Sequence, residues 1–251
     1  MNANRTHALQ SALIIANSTF SNPYRLGAKH YMPWGYAIHE GVLAGARSIL
    51  LAPQWPLAYV TRTDDGREHK TILYSDFAAV LMTLGEDNLG HPVPVTRVVM
   101  LVEINKTASD ALEYRDCHLD IARDRVIEQC QQAFSEDSQI SRIVAVACTA
   151  SWWSYRTIDR TELRSLSEYR DTAYISSNDD KLGLELGFAT EWSPASDLCT
   201  PQGLQNLMEL RPILEQIQAT LHRRVGILAT ALWGFSQLWV VLRGWIRFKW
   251  N

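Results

Sequence analysis

Two stretches of this chain constrain its fold more than any other feature. Residues 97–104 read Arg-Val-Val-Met-Leu-Val-Glu-Ile, and residues 142–148 read Arg-Ile-Val-Ala-Val-Ala-Cys. Both are almost wholly apolar, whereas a strand with one wet face would alternate. Strands of that kind are covered on both faces, inside a sheet. Between them, residues 108–134 switch to helical period. Leu119, Ala122, Val126, Cys130 and Ala133 form one stripe, with Arg, Asp and Glu elsewhere. A helix crossing between two buried strands makes those strands parallel and adjacent.

The rest of the chain is read outward from that unit. A helix is expected from about Gly27 to Ser48, with Pro33 in its first turns and Pro53 and Pro56 beyond its end. Leu57 to Thr63, the Asp65-Gly66 dipeptide and Thr71 to Tyr74 form a hairpin signal, and Asp76-Phe-Ala-Ala-Val-Leu-Met continues as a strand. Residues 85–96 carry glycines and prolines and read as a loop. The order is αβββαβ, which makes the class α/β, a mixed central sheet flanked by helices. C-terminal helices follow. Leu204, Leu207, Leu210, Leu214, Ile217 and Leu221 line one face, and Pro212 is expected to kink that helix. Residues 1–25 read as a poorly packed arm, 26–200 as the α/β domain, and 201–251 as a helical region with a hydrophobic tail.

Composition narrows the function classes. The chain has 251 residues, with 24 Lys+Arg, 27 Asp+Glu and a net charge of −3. That balance argues against a strongly basic nucleic-acid glove, though a local basic groove is compatible with it. The four cysteines show no CxxC or Cys/His zinc spacing, and they are too few for a secreted disulfide scaffold. No secretion signal is read at the start, so an intracellular location, nuclear or cytoplasmic, is expected. There is no phosphate-binding glycine loop and no Gly-x-Ser-x-Gly elbow. Trp152 and Trp153 are adjacent, so on a strand they face opposite ways, and packing on both sides is the plainer reading than base stacking. Arg156, Arg160, Arg164 and Arg170 are interleaved with acids and read as a solvated mixed-charge surface.

Three acids stand where acids are costly or specifically placed: Glu40 on the first helix, Asp76 at the start of the strand before the apolar one, and Glu103 near the end of that apolar strand. On a strand alternate residues share a face, so Glu103 goes with Leu101 and Asn105. A carboxylate at the end of a buried strand needs a cation, a set of hydrogen bonds or solvent. Two on neighbouring strands make a site for a hard divalent cation, which can activate water at a phosphodiester. Solvation in a loop mouth is the competing reading.

In order along the chain, Tyr31-Met-Pro-Trp with Glu40, Ser75-Asp-Phe, Val102-Glu-Ile-Asn-Lys, Ile127-Glu-Gln-Cys-Gln-Gln-Ala-Phe and Ser151-Trp-Trp-Ser-Tyr form a set. This set resembles the PD-(D/E)XK (restriction-endonuclease-like) nuclease superfamily, and more narrowly a fungal, basidiomycete-type group with that fold. The resemblance spans about residues 24–160. It implies that Asp76 and Glu103, helped by the backbone carbonyl of Ile104, hold Mg²⁺ or Mn²⁺. It implies that Glu40 is an accessory acid and that Gln129 faces the site. The family's lysine, two residues after the Glu, is matched here by Asn105, with Lys106 one place later. Either would assist by orienting the attacking water and stabilising the phosphorus transition state. The implied activity is metal-dependent phosphodiester hydrolysis on nucleic acid, DNA ahead of RNA, and a homodimer is an assembly many relatives form. The alternatives are a non-cleaving binding module of the same fold and a membrane-tethered interaction protein.

The last alternative comes from the tail. Val225 to Leu242 is eighteen residues without a charge, flanked by Arg223 and Arg224 on one side and Arg243, Arg247 and Lys249 on the other. As a helix it would be about 27 Å long, near the lower limit for a bilayer span. A tail anchor, an amphipathic surface helix and a helix packed on the domain all stay open.

Overall fold

The computed structural model describes residues 9–12, 15, 30–46, 48–62, 68–86, 91–105, 112–163 and 191–225. Helix α1 (Tyr31–Ala37) runs on as one π-helical stretch, Ile38–Val42. Strands β1 (Ile49–Arg62), β2 (Glu68–Glu86) and β3 (Pro92–Asn105) follow, then helix α2 (Leu112–Glu136). Strands β4 (Arg142–Thr149), β5 (Trp152–Asp159) and β6 (Ser196–Asp197) precede helices α3 (Pro201–Met208) and α4 (Leu210–Val225). The six strands lie in one sheet in chain order. Every pairing is antiparallel except β3 with β4, which α2 joins. The class expected, a mixed sheet flanked by helices, is the class observed.

The continuous apolar runs of β3 and β4 are explained by what covers them. On one face Leu101, Ala145 and Ala147 pack with Leu119, Ala122, Val126 and Cys130 of α2. On the other, Val102, Ile104, Val144 and Val146 pack with Trp34, Ile38 and the α3 and α4 stripe from Leu204 to Leu221. Each fully buried leucine of that stripe stabilises the fold by about 2 kcal/mol. The C-terminal helices as far as Leu221 are therefore part of the domain's core layer. Leu9, on the segment expected to be a poorly packed arm, is buried in the same layer.

Several boundaries differ from the sequence expectation. Among the described residues of the span 27–48, the helix expected there is an α-helical stretch and a π-helical one that together end at Val42. Strand β1 begins at Ile49 and runs through Pro53 and Pro56, because an edge strand need not donate every N–H. Asp76 lies inside the long β2, not at its start. Most of residues 85–96, expected as a loop, belong to β2 and β3, which pair as far as Glu86↔Pro92. Where a kink was expected, the chain breaks into two helices at Glu209, and Pro212 stands in the first turn of the second. It has no N–H for the carbonyl of Met208, and α3 ends at that residue. Strands β5 and β6 extend the sheet beyond the αβββαβ order.

Residues 226–251, and with them nearly all of the hydrophobic tail, lie outside the described residues, as does Lys106. Among the described residues no helix is long and apolar enough to cross a membrane.

Candidate metal centre

The β2–β3 ladder reaches Phe77↔Val102, and the next residues outward on the two strands are Asp76 and Glu103. The ladder stops there, and the Asp76 side chain takes over the work of a main-chain carbonyl. Its Oδ2 accepts from the Ile104 N–H at 2.6 Å. Its Oδ1 accepts from the Tyr31 hydroxyl of α1. Glu103 is approached from the opposite layer. Gln129 on α2 donates to its Oε2 at 2.7 Å, and Arg125, one turn earlier, reaches its Oε1 at 3.4 Å. The two carboxylates thus sit where the β2–β3 ladder stops, with Tyr31 reaching Asp76 from one helical layer and Gln129 and Arg125 reaching Glu103 from the other. Asp76 is 8% exposed and Glu103 7%.

A third strand contributes. On β1 the pairs Pro53↔Phe77 and Trp55↔Ser75 keep one register on either side of Gln54. That register puts Gln54 opposite Asp76, in line with Glu103 across three strands. Gln54 itself leaves the ladder with φ +51°, a left-handed conformation that a glutamine rarely adopts. Such a conformation costs about 1–2 kcal/mol. Its amide donates to Asp76 Oδ1 at 3.3 Å and to the Tyr31 hydroxyl at 3.2 Å.

Burial dominates the electrostatics. It pushes the Asp76 carboxyl above the usual aspartate range, against the opposing pull of Tyr31, the Ile104 N–H, Gln54 and Arg125. Burial also pushes Glu103 up, the negative charge of Asp76 adds to it, and Gln129 and Arg125 oppose it. The same field raises the Tyr31 hydroxyl, through burial first and its bond to Asp76 second. Cys148, buried beneath, is raised by burial and then by both carboxylates. The donor set that could meet a hard cation consists of oxygens. It comprises the two carboxylates and the Ile104 carbonyl, which points to the same strand edge as the Ile104 N–H. It also includes Gln129 Oε1, which is buried and has no hydrogen-bond partner.

The residues expected at the site are distributed as follows. Asp76, Glu103, Ile104 and Gln129 come together. Asn105 shares the Glu103 face, but its amide is tied to α2 by the His118 carbonyl at 3.0 Å and the His118 ring at 3.3 Å. Glu40 interacts with the neighbouring His39 at 3.1 Å. Among the described residues no group of three His, Cys, Asp or Glu side chains could hold a metal. Three participants were not anticipated. Arg125 had a legible signal, because it stands four residues before Gln129 on the same helix face. Tyr31 lay within the quoted aromatic motif without a role. Gln54, between Pro53 and Trp55-Pro56, sits in a proline-rich edge segment whose irregularity only the register reveals. Of the adjacent tryptophans, Trp153 is core, whereas Arg115 stacks over Trp152 at 4.6 Å.

No family model, curated protein or solved structure matches the chain.

Proposed function

We propose that this domain hydrolyses phosphodiester bonds in nucleic acid, in the manner of restriction-endonuclease-like nucleases, with a Mg²⁺ or Mn²⁺ ion held by Asp76 and Glu103. One observation carries the reading. Two buried carboxylates occupy facing positions on neighbouring strands, with Arg125 as the nearby cation that opposes their charge. Like charges so placed favour a bound cation or a proton. The donor chemistry fits Mg²⁺, which keeps several waters and commonly takes only one or two carboxylates, so the site needs no third acid. Bound there, the ion supplies Lewis-acid activation of water and neutralises phosphoryl charge.

The chain's own residues do the positioning. The Ile104 N–H and Tyr31 fix the plane of the Asp76 carboxylate, and Gln129 fixes that of Glu103. Arg125 stands in for the strand lysine that this sequence lacks at residue 105. Its side chain is 57% exposed, so the guanidinium touches Glu103 and still faces outward, where a phosphate oxygen can accept from it.

The test is incubation of the full chain with end-labelled single- and double-stranded DNA and RNA, with Mg²⁺ or Mn²⁺ and with chelator. Cation-dependent cleavage is expected, reduced by about a hundredfold or more in Asp76→Ala and Glu103→Ala. Equal cleavage by parent and Asp76→Ala would remove the reading. A second reading, a binding module of the same fold, is favoured by the engagement of Asn105 with His118. Retention of labelled nucleic acid without cleavage at any cation concentration would establish it instead.

A further inference from the structure

We propose that Gln54 is a further ligand of the cation held by Asp76 and Glu103, its amide turning over to present Oε1 when the ion enters. The assignment rests on the cation reading above and adds a residue outside the acidic motif. The register of β1 on β2 places Gln54 in line with both carboxylates. The Gln54 amide donates N–H to Asp76 Oδ1, an oxygen that also accepts from Tyr31. The amide thereby covers an oxygen that an entering ion would need.

An amide carries a donor and an acceptor on one planar group. The terminal torsion of a glutamine is broad and roughly two-fold, so reversal costs little for an exposed side chain. Reversal removes the N–H from the covered carboxylate oxygen and sets an uncharged oxygen in its place. Independent evidence for a missing positive partner comes from Gln129. Its side chain is 5% exposed, its Nε2 donates to Glu103, and its buried Oε1 accepts from nothing. Buried acceptors of that kind call for a donor, a water or an ion. A residue in a left-handed conformation where glycine would rest without strain also indicates that this position is kept for its side chain.

Titration calorimetry of the full chain with Mn²⁺ alone tests the assignment, alongside thermal unfolding in chelator. Parent protein should bind Mn²⁺ and Asp76→Ala should not. Gln54→Ala should weaken binding by about tenfold. Gln54→Glu, which offers an oxygen without reversal and adds charge, should match or exceed the parent. Gln54→Gly separates ligation from scaffolding: it should raise the unfolding temperature in chelator, by relieving the left-handed backbone, while weakening Mn²⁺. If Asp76→Ala abolishes binding and Gln54→Ala leaves it unchanged, the ligand assignment falls and the cation reading stands. If the parent binds no Mn²⁺, or Asp76→Ala binds it equally, both fall.

Discussion

Two charged clusters are buried against this sheet, and they are built on opposite plans. Near the end of β5, Arg156 is 5% exposed and its guanidinium donates to Glu162 at 2.7 Å. Positive meets negative. Where the β2–β3 ladder stops, Asp76 faces Glu103, and Arg125 is shared by both. Full ionisation there leaves one net negative charge in a dry place. The first cluster needs nothing more to be stable. The second is completed either by a proton or by an ion. Burial of charge alone therefore does not mark a site, whereas burial without balance does.

The largest effect expected from this contrast is on stability. Glu162→Ala leaves the Arg156 guanidinium buried without that partner and should cost about 3 kcal/mol. Urea unfolding followed by circular dichroism measures it. A loss indistinguishable from that of an exposed glutamate would mean that Arg156 is balanced by other groups, and the contrast between the clusters would go.

How far these clusters could be read from sequence differs for physical reasons. The apolar runs of β3 and β4 and the helical stripe of α2 announced the central parallel pair, because burial on both faces leaves an unbroken apolar run and a helix packed on one side leaves a single stripe. Asp76 and Glu103 stood out because acids interrupt such runs. Pairings that depend on distant backbone geometry left no trace. Gln54 meets Asp76 only through the β1 register and one left-handed residue. Arg156 was read with its neighbours as a solvated surface, since interleaved charges look alike whether they are paired inside or wetted outside. It is Glu162, six residues on, that allows Arg156 to be buried. Glu40 was singled out by its place on the first helix and by motif order, and its side chain interacts with His39.

The unbalanced pair should also leave a mark on the pH dependence of folding. Both carboxyls are raised above their ordinary values of 3.8 and 4.5. In the window above those values the folded chain keeps protons that the unfolded chain has released. Stability therefore falls as pH rises through that window. Glu103→Gln removes one of the two charges at nearly constant shape. In chelator, its urea midpoint relative to the parent should improve as pH rises above those ordinary values. A difference that stays flat or reverses over that range would mean that the pair is not under the strain described. Saturating Mn²⁺ should narrow the gap, because the ion balances the parent's pair and has less to balance in the variant.

The smallest effect expected is the one that separates the two plans most finely. Arg125→Met keeps much of the side chain's apolar length and removes only the guanidinium. Because that group is more than half exposed and lies 3.4 Å from Glu103, its removal should cost less than about 1 kcal/mol at neutral pH. High salt should shrink the loss further. The variant's pH dependence should nevertheless change in a definite direction. Arg125 lowers the carboxyls of both Asp76 and Glu103, so without it the window of falling stability must extend to higher pH. A loss as large as that of Glu162→Ala, with no movement of the window, would make Arg125 a structural partner like Arg156. The carboxylate pair would then be an ordinary ion-paired cluster in which a cation has nothing left to complete.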